Sequence, residues 1–251
     1  MRNSANDGWI DLRTLTGGLT AAADATINGV TVGKGANSVA NNTVLGLGAL
    51  DASVSGDNNT AIGRDALTSN TSGASNTAVG KDSLDANTTG SSNTAIGMSA
   101  LLTSTTASNN TAVGFDALKL NTSGTFNTAV GTASLDANTT GDEVTAVGFN
   151  SLSQNTTGAN NTATGSGALA SNTTGGSNTA SGRSALNGNT TGKENTAFGA
   201  NSLKTNTTGD FNNAVGHKAL ELNTTGSSNT GIGDFALRQN TTASNNTALG
   251  A

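Results

Sequence analysis

The stretch NTAIGRDALTSNTSGAS, residues 59–75, is followed at once by NTAVGKDSLDANTTGSS, residues 76–92, and reading the two together decides the fold. The same 17-residue register runs back to NTVLG at Asn42. It runs forward through NTAIG at Asn93, NTAVG at Asn110 and Asn127, VTAVG at Val144, NTATG at Asn161, NTASG at Asn178, NTAFG at Asn195, NNAVG at Asn212, NTGIG at Asn229 and NTALG at Asn246. Twelve complete repeats fill 42–245 and a partial one continues to 251, with no insertion or deletion. A strict period of this length marks stacked structural units rather than a globular core.

Numbered from the first Asn, the consensus is N-T-A-V-G-x-x-A-L-x-x-N-T-T-G-x-x. Position 9 is leucine in every complete repeat, as at Leu67, Leu84, Leu101, Leu118, Leu135 and Leu152, and position 5 is always glycine. No charged residue after 41 lies outside positions 6, 7, 10, 11, 16 and 17, so these columns are expected to face water. Two glycines per repeat, each costing about 1 kcal/mol relative to alanine in a helix, and an N-T-T-G segment poor in helix formers exclude helical repeats. The pattern predicts an all-β fold, a parallel β-solenoid or β-roll of 17-residue coils. Each coil reads as a short strand around N-T-A-V, a glycine turn, a second short strand around A-L and an N-T-T-G turn.

Strand alternation puts Thr at position 2 and Val or Ile at position 4 on one face and Ala at position 3 on the other. The reading assigns Ile62, Val79, Ile96 and Val113 to the coil interior with the leucines, and turns the alanines outward, where a small side chain suits a close-packed partner chain. Two large apolar side chains per 17 residues is little burial against the ordering entropy of the backbone. Self-association is therefore expected, and the reading takes it as a homotrimeric fibre although burial by itself does not fix the number of copies. Thirteen coils at about 4.8 Å each would span about 60 Å.

Composition supports a thin-cored rod. Of 251 residues 33% are hydrophobic and 3% aromatic, with 34 glycines and no proline, cysteine or tyrosine. Disorder is the competing reading of so polar a chain, yet only 11% of residues are charged and proline is absent, unlike most disordered segments. The net charge of −5 and the lack of a basic stripe exclude a nucleic-acid partner. No run of about 18 apolar residues exists to cross a membrane, and MRNSANDGWIDL lacks the apolar region of a signal peptide.

Asn87, Asn138 and Asn189 begin N-T-T sequons, but their shared column favours a ladder of stacked amides. An ice-binding solenoid needs an outward T-x-T array, which T-A-V fits poorly. Calcium-binding rolls need aspartates in fixed columns, whereas Asp82, Asp116 and Asp210 scatter, so no metal or cofactor is expected. Catalysis has little to stand on: His217, the only histidine, sits in a solvent column beside Lys218, and Asp142 with Glu143 reads as a solvated pair rather than a glycosidase dyad. The expectation is that the chain is not an enzyme. Phe115, Phe126, Phe149, Phe211 and Phe235 occupy variable columns and are candidates for an interface between copies or a surface for host glycan or protein.

Residues 1–41 fall outside the period. Asp7-Gly8 beside Trp9, Ile10 and Leu12 reads as a hairpin or cap within 1–20, and 21–41 as an irregular entry coil, in which Ile27, Val30 and Val32 open an extended run. The segment INGVTVGKGANSVANNTVLG, 27–46, followed by the repeats, resembles the shaft of bacteriophage tail fibres of marine and cyanobacterial phages, and RNSANDGWIDL, 2–12, is similar to segments preceding such shafts. More distantly the repeats resemble the S-V-A-I-G coils in the heads of trimeric autotransporter adhesins. The resemblance implies a homotrimeric structural fibre of a virion that supports host attachment, with a bacterial surface adhesin as the alternative. The lack of a signal peptide and membrane anchor favours the phage, and a register that stops inside a coil at Ala251 fits a section of a longer fibre.

Overall fold

The computed structural model describes residues 24–27, 30–36, 39–52 and 54–250. They form one fifteen-stranded sheet whose strands follow one another in chain order. Strand β1 (Ala25–Ile27) pairs antiparallel with β2 (Val30–Gly33), and β2 pairs antiparallel with β3 (Thr43–Leu45). From β3 through β4 (Thr60–Ile62) to β15 (Thr247–Leu249), every pairing is parallel and joins residues 17 apart, as in Thr60↔Thr77 and Ile62↔Val79. The chain is thus an all-β solenoid with one coil per repeat. The T-V-G run in the entry segment joins the same sheet, but in the opposite direction to the coils. Asp24 holds that corner by accepting the backbone N–H groups of Lys34 and Gly35, both at 2.6 Å. The expected hairpin around Trp9 lies outside the described residues.

Each coil contains a single three-residue strand, so the second strand expected around A-L is not formed. That segment is a succession of turns. The leucine at position 9 has a left-handed backbone in all twelve repeats, with φ between 48° and 54°. Such a conformation costs a β-carbon-bearing residue about 1–2 kcal/mol, less than or comparable to the roughly 1.5–3 kcal/mol gained by burying a leucine side chain. The position-9 leucines from Leu50 to Leu220 are all fully buried. Positions 7 and 17 also have positive φ, for example Asp65 at 57° and Ser75 at 58°. These turns let 17 residues close a coil around one strand.

The glycine at position 5 is required twice over. Its φ is 134° at Gly131, and a β-carbon there would lie 2.6 Å from the carbonyl oxygen of Gly148 in the next coil. Backbone groups are spent between coils. The N–H groups at positions 2, 9, 11 and 13 donate to the following coil, as in Thr60 to Asn76 and Leu67 to Ser83. Those at positions 5, 7 and 17 donate to the preceding one, as in Gly80 to Ile62.

The interior reverses one expectation. Alanine at position 3 points inward and is fully buried from Ala61 to Ala214, packed with the leucines and the small residue at position 8. Position 4 points out: Ile62, Val79 and Val113 are half-buried and Ile96 is 41% exposed, so these four residues are not core. The cause is the leucine of the facing turn segment, which fills the narrow coil and leaves room for only a methyl group. At Gly231, the one glycine in the alanine column, even a β-carbon would sit 3.1 Å from the Ala236 carbonyl oxygen and 3.3 Å from Leu220 Cγ. An outward alanine face for a partner chain therefore does not exist.

Two amide ladders run along the rod. The asparagines of the N-T-T column are fully buried from Asn70 to Asn223, including Asn87, Asn138 and Asn189, so these are structural and out of reach of glycosylation in the folded rod. Each stacked pair is joined by Nδ2 donating to the Oδ1 of the preceding coil, at 2.9 Å from Asn138 to Asn121. The same Nδ2 also donates to the position-15 carbonyl of its own coil, Asn138 to Gly141 at 3.0 Å. The position-1 asparagines form a second ladder, in which Oδ1 accepts the backbone N–H of the next coil, Asn76 to Asn59 at 3.0 Å, and Nδ2 donates to Gly90 O at 2.9 Å. Val144 receives a rung from Asn127 but has no amide to pass one on.

The first ladder is broken at Ser104. Asn87 Oδ1 and Ser104 Oγ are both buried without a partner. The threonine rung at position 13, present from Thr71 to Thr88 and from Thr122 to Thr139, is missing between Thr105 and Thr122 among the described residues. Position 15 is glycine in every complete repeat except at Ala107 and Ala243. A β-carbon there would lie 2.4–2.6 Å from the asparagine Oδ1 of its own coil, as at Gly73 and Gly192. Where asparagine gives way to Ser104, glycine gives way to the buried Ala107.

Candidate interaction surface

The outward strand side is the most regular surface of the molecule. Position 2 offers Thr60, Thr77, Thr94, Thr111, Thr128 and their successors, with Asn213 as the one departure; position 4 offers mostly valine and isoleucine. Neither column carries a charge in any of its thirteen coils. Parallel pairing holds both columns in exact-repeat lines about 4.8 Å apart along the rod, with neighbours across the strand about 7 Å apart.

The threonines fall into two groups. At position 13 the hydroxyl is used inside the fold, donating to the carbonyl of the next coil, as from Thr156 to Thr173 and Thr190 to Thr207, both 3.0 Å. At position 2 from Thr60 to Thr196 the hydroxyl has no partner within the chain among the described residues and is free for solvent or another molecule. Sequence reasoning separated these columns by position but placed position 2 on the same inward face as position 4. It therefore missed a T-x-V array that points outward.

The five phenylalanines singled out from the sequence are all exposed, but they do not share a face. Phe115 and Phe149 stand at position 6 and Phe235 at position 7, beyond one end of the strand, while Phe126 and Phe211 stand at position 17, before the other. The sixth, Phe198, is the one on the strand face itself, at position 4 and 59% exposed. No periodic cue marks it, because it takes the place of a valine in an otherwise ordinary repeat.

Charge flanks the strand side. Arg64–Asp65 and Lys81–Asp82 pair within their turns at 3.0 and 2.9 Å. The position-10 column is partly covered rather than fully wet. Burial raises the carboxyls of Asp85 and Asp136 above the usual aspartate value, against a hydrogen bond from Thr68 at Asp85 and from its own backbone at Asp136. Asp136 Oδ1 is buried without a partner. The carboxylate of buried Glu221 is instead held below its usual value by Arg238, whose Nε lies 2.6 Å from Oε2.

His217 stands on the open surface with Nδ1 3.1 Å from Asp234 Oδ1 and its ring edge-on to Phe235 at 5.3 Å. Lys218 and Arg238 lie over the same phenylalanine, 5.8 and 5.5 Å from its centre. This is a solvated stack of cations on an aromatic ring, and it presents no nucleophile beside the imidazole. Among the described residues no group of three or more histidine and carboxylate side chains is placed to hold a metal ion, and no helix is long and apolar enough to cross a membrane. Asp142 is spent on the next-lower coil, where its Oδ1 accepts both the backbone N–H and the hydroxyl of Thr125. No protein-family model, curated protein or solved structure matches the chain.

Proposed function

We propose that this chain is a length of structural shaft from a virion fibre, built as a homotrimer, that carries the attachment end of the fibre away from the particle toward a host-cell glycan or protein. The observation that carries the reading is the unbroken parallel stack from β3 to β15, in which every coil has the same length and pairs only with its neighbours. Such a quasi-one-dimensional object transmits position along its axis and offers no enclosed site for chemistry. Two internal ladders of asparagine resist shear between coils, which a stalk under load needs. The resemblance of 27–46 and the following repeats to phage fibre shafts supports the virion over a bacterial surface.

The reading is tested on particles that encode the chain. Antibodies raised against the purified rod should label fibres at the virion tail in electron micrographs and slow adsorption to the host. Label on the bacterial surface and none on particles would reject the virion assignment in favour of a surface adhesin.

A further inference from the structure

The seam between coils 93–109 and 110–126 is bonded unlike its neighbours. Its strand side is intact: Ala95 pairs in register with Ala112, Thr94 N–H donates to Asn110 O, and Gly114 N–H donates to Ile96 O, both at 2.8 Å. The turn segment facing the strand is intact as well, with Leu101 N–H on Ala117 O and Thr103 N–H on Lys119 O, both at 3.1 Å. Only the N-T-T corner is open. In the next seam Thr139 O gathers three donors, Thr122 N–H at 3.0 Å, Ser123 N–H at 3.1 Å and the Thr122 hydroxyl at 2.9 Å. Among the described residues Thr122 O receives none of these from Thr105 and Thr106, and the amide rung is absent too. Exposure follows the bonding. Thr105 and Thr122 are exposed, whereas Thr139, Thr156, Thr173, Thr190 and Thr207 are half-buried.

The cause lies at position 12. In a regular coil the asparagine ties the turn down from within: Asn155 Nδ2 donates to Gly158 O of its own coil and to Asn138 Oδ1 of the coil before, both at 2.9 Å. Ser104 does neither, and its Oγ is buried without a partner. The Thr105 carbonyl still accepts from Thr88 and Thr89 N–H, at 2.8 and 3.2 Å. The turn 104–107 is thus fastened to the coil before it and released from the coil after it. Loss of a single rung does not have this effect. Val144 interrupts the position-1 ladder, yet the corner bonds around it, from Thr139 to Thr156 and from Thr156 to Thr173, are kept.

Local opening concentrates where the bonds joining two units are fewest. A seam held along the strand and the facing turn but free at one corner yields as a wedge, with the strand ladder as its hinge line. We infer that this seam is a joint in the rod. The four complete coils before it and the eight after it hinge about the strand ladder and part at Thr105 and Thr122, so the rod bends in one direction only. This goes beyond the shaft reading and does not depend on it. In a shaft, such a joint lets the far end swing while the axial stack stays whole.

The chain has no cysteine, so pairs of spin labels can be placed on the exposed position-14 column. Ser72→Cys with Thr140→Cys spans the seam. Thr157→Cys with Thr225→Cys spans an equal four coils, about 19 Å, in which every position-13 hydroxyl bond is kept. With labelled chain diluted in unlabelled chain, the distance distribution across the seam should be about twofold wider than in the second stretch, and amide exchange at Thr105 and Thr106 about tenfold faster than at Thr156 and Thr157. Ser104→Asn with Ala107→Gly should narrow the seam to the width of the second stretch. Asn189→Ser with Gly192→Ala should widen the second stretch. The comparison within the parent chain decides the matter even where a variant fails to fold. Equal widths there, or a wide seam that Ser104→Asn with Ala107→Gly leaves unchanged, would overturn the joint and leave the shaft reading standing.

Discussion

The break at Ser104 offers the sharpest test of how the rod is held together. Replacing Ser104 with Asn would continue the ladder best if the neighbouring β-carbon is removed, because from Gly73 to Gly226 a β-carbon at position 15 would lie 2.4–2.6 Å from the amide Oδ1 of its own coil; only in the last complete repeat do an asparagine and an alanine, Asn240 and Ala243, stand together. Ser104→Asn alone should therefore be neutral or destabilising, by about 1–3 kcal/mol for an overpacked site. Combined with Ala107→Gly it should supply a donor to the unpartnered Asn87 Oδ1 and remove the unpartnered Ser104 Oγ. Its own Oδ1 would also accept from Asn121, whose Nδ2 now bonds only Gly124 at 2.8 Å. Relieving one buried unsatisfied acceptor is worth about 1–3 kcal/mol, and the added glycine costs about 0.5–1 kcal/mol in backbone entropy. The double variant should thus gain about 1–2 kcal/mol. A double-mutant cycle by urea unfolding, with amide exchange of Thr105 and Thr122 as the local readout, measures this directly. A coupling energy below about 0.5 kcal/mol, the usual limit of additivity for independent sites, would refute the claim that the two substitutions compensate each other.

Other substitutions address single columns. Gly131→Ala forces a β-carbon into the Gly148 carbonyl at 2.6 Å and should cost about 2–4 kcal/mol from strain and overpacking together, seen as a lower thermal midpoint and proteolysis near 131. Leu135→Ala removes a fully buried side chain and should cost about 2–5 kcal/mol, whereas Val130→Ala on the strand face should cost a purified single chain much less; equal losses would contradict the inward assignment of leucine. Because the Asp136 carboxyl is raised in the folded state, the native protein holds its proton to higher pH than the unfolded chain. Stability from this group is present at low pH and is lost as pH rises through the folded value. Asp136→Asn should therefore be more stable than the parent at pH 7, with the advantage shrinking toward pH 3; a gain independent of pH would mean that the charge is not the cause.

The leucine column, the fixed glycine and the N-T-T asparagine ladder were legible from the sequence because each depends on a residue type repeated at one position. The second ladder was not, although position 1 is also an asparagine column: its amides lie beside the strand, and their bonds to the position-15 carbonyls cross the coil. The left-handed leucines were equally hidden, since local propensity argues against that backbone and only burial in the closed coil offsets its cost.

What the sequence determined by itself is the period, and with it a stack of equal coils that pair in register. It also fixed that Thr and Val share one side of the strand and Ala takes the other, because side chains of a strand alternate. Which side faces in was decided by tertiary structure. Alternation sets the two faces without ranking them, and hydrophobicity alone favours valine inside. The leucine entering from the facing turns leaves the interior one methyl group wide, so alanine is the residue that fits, and the larger columns are left outside, free to meet another molecule.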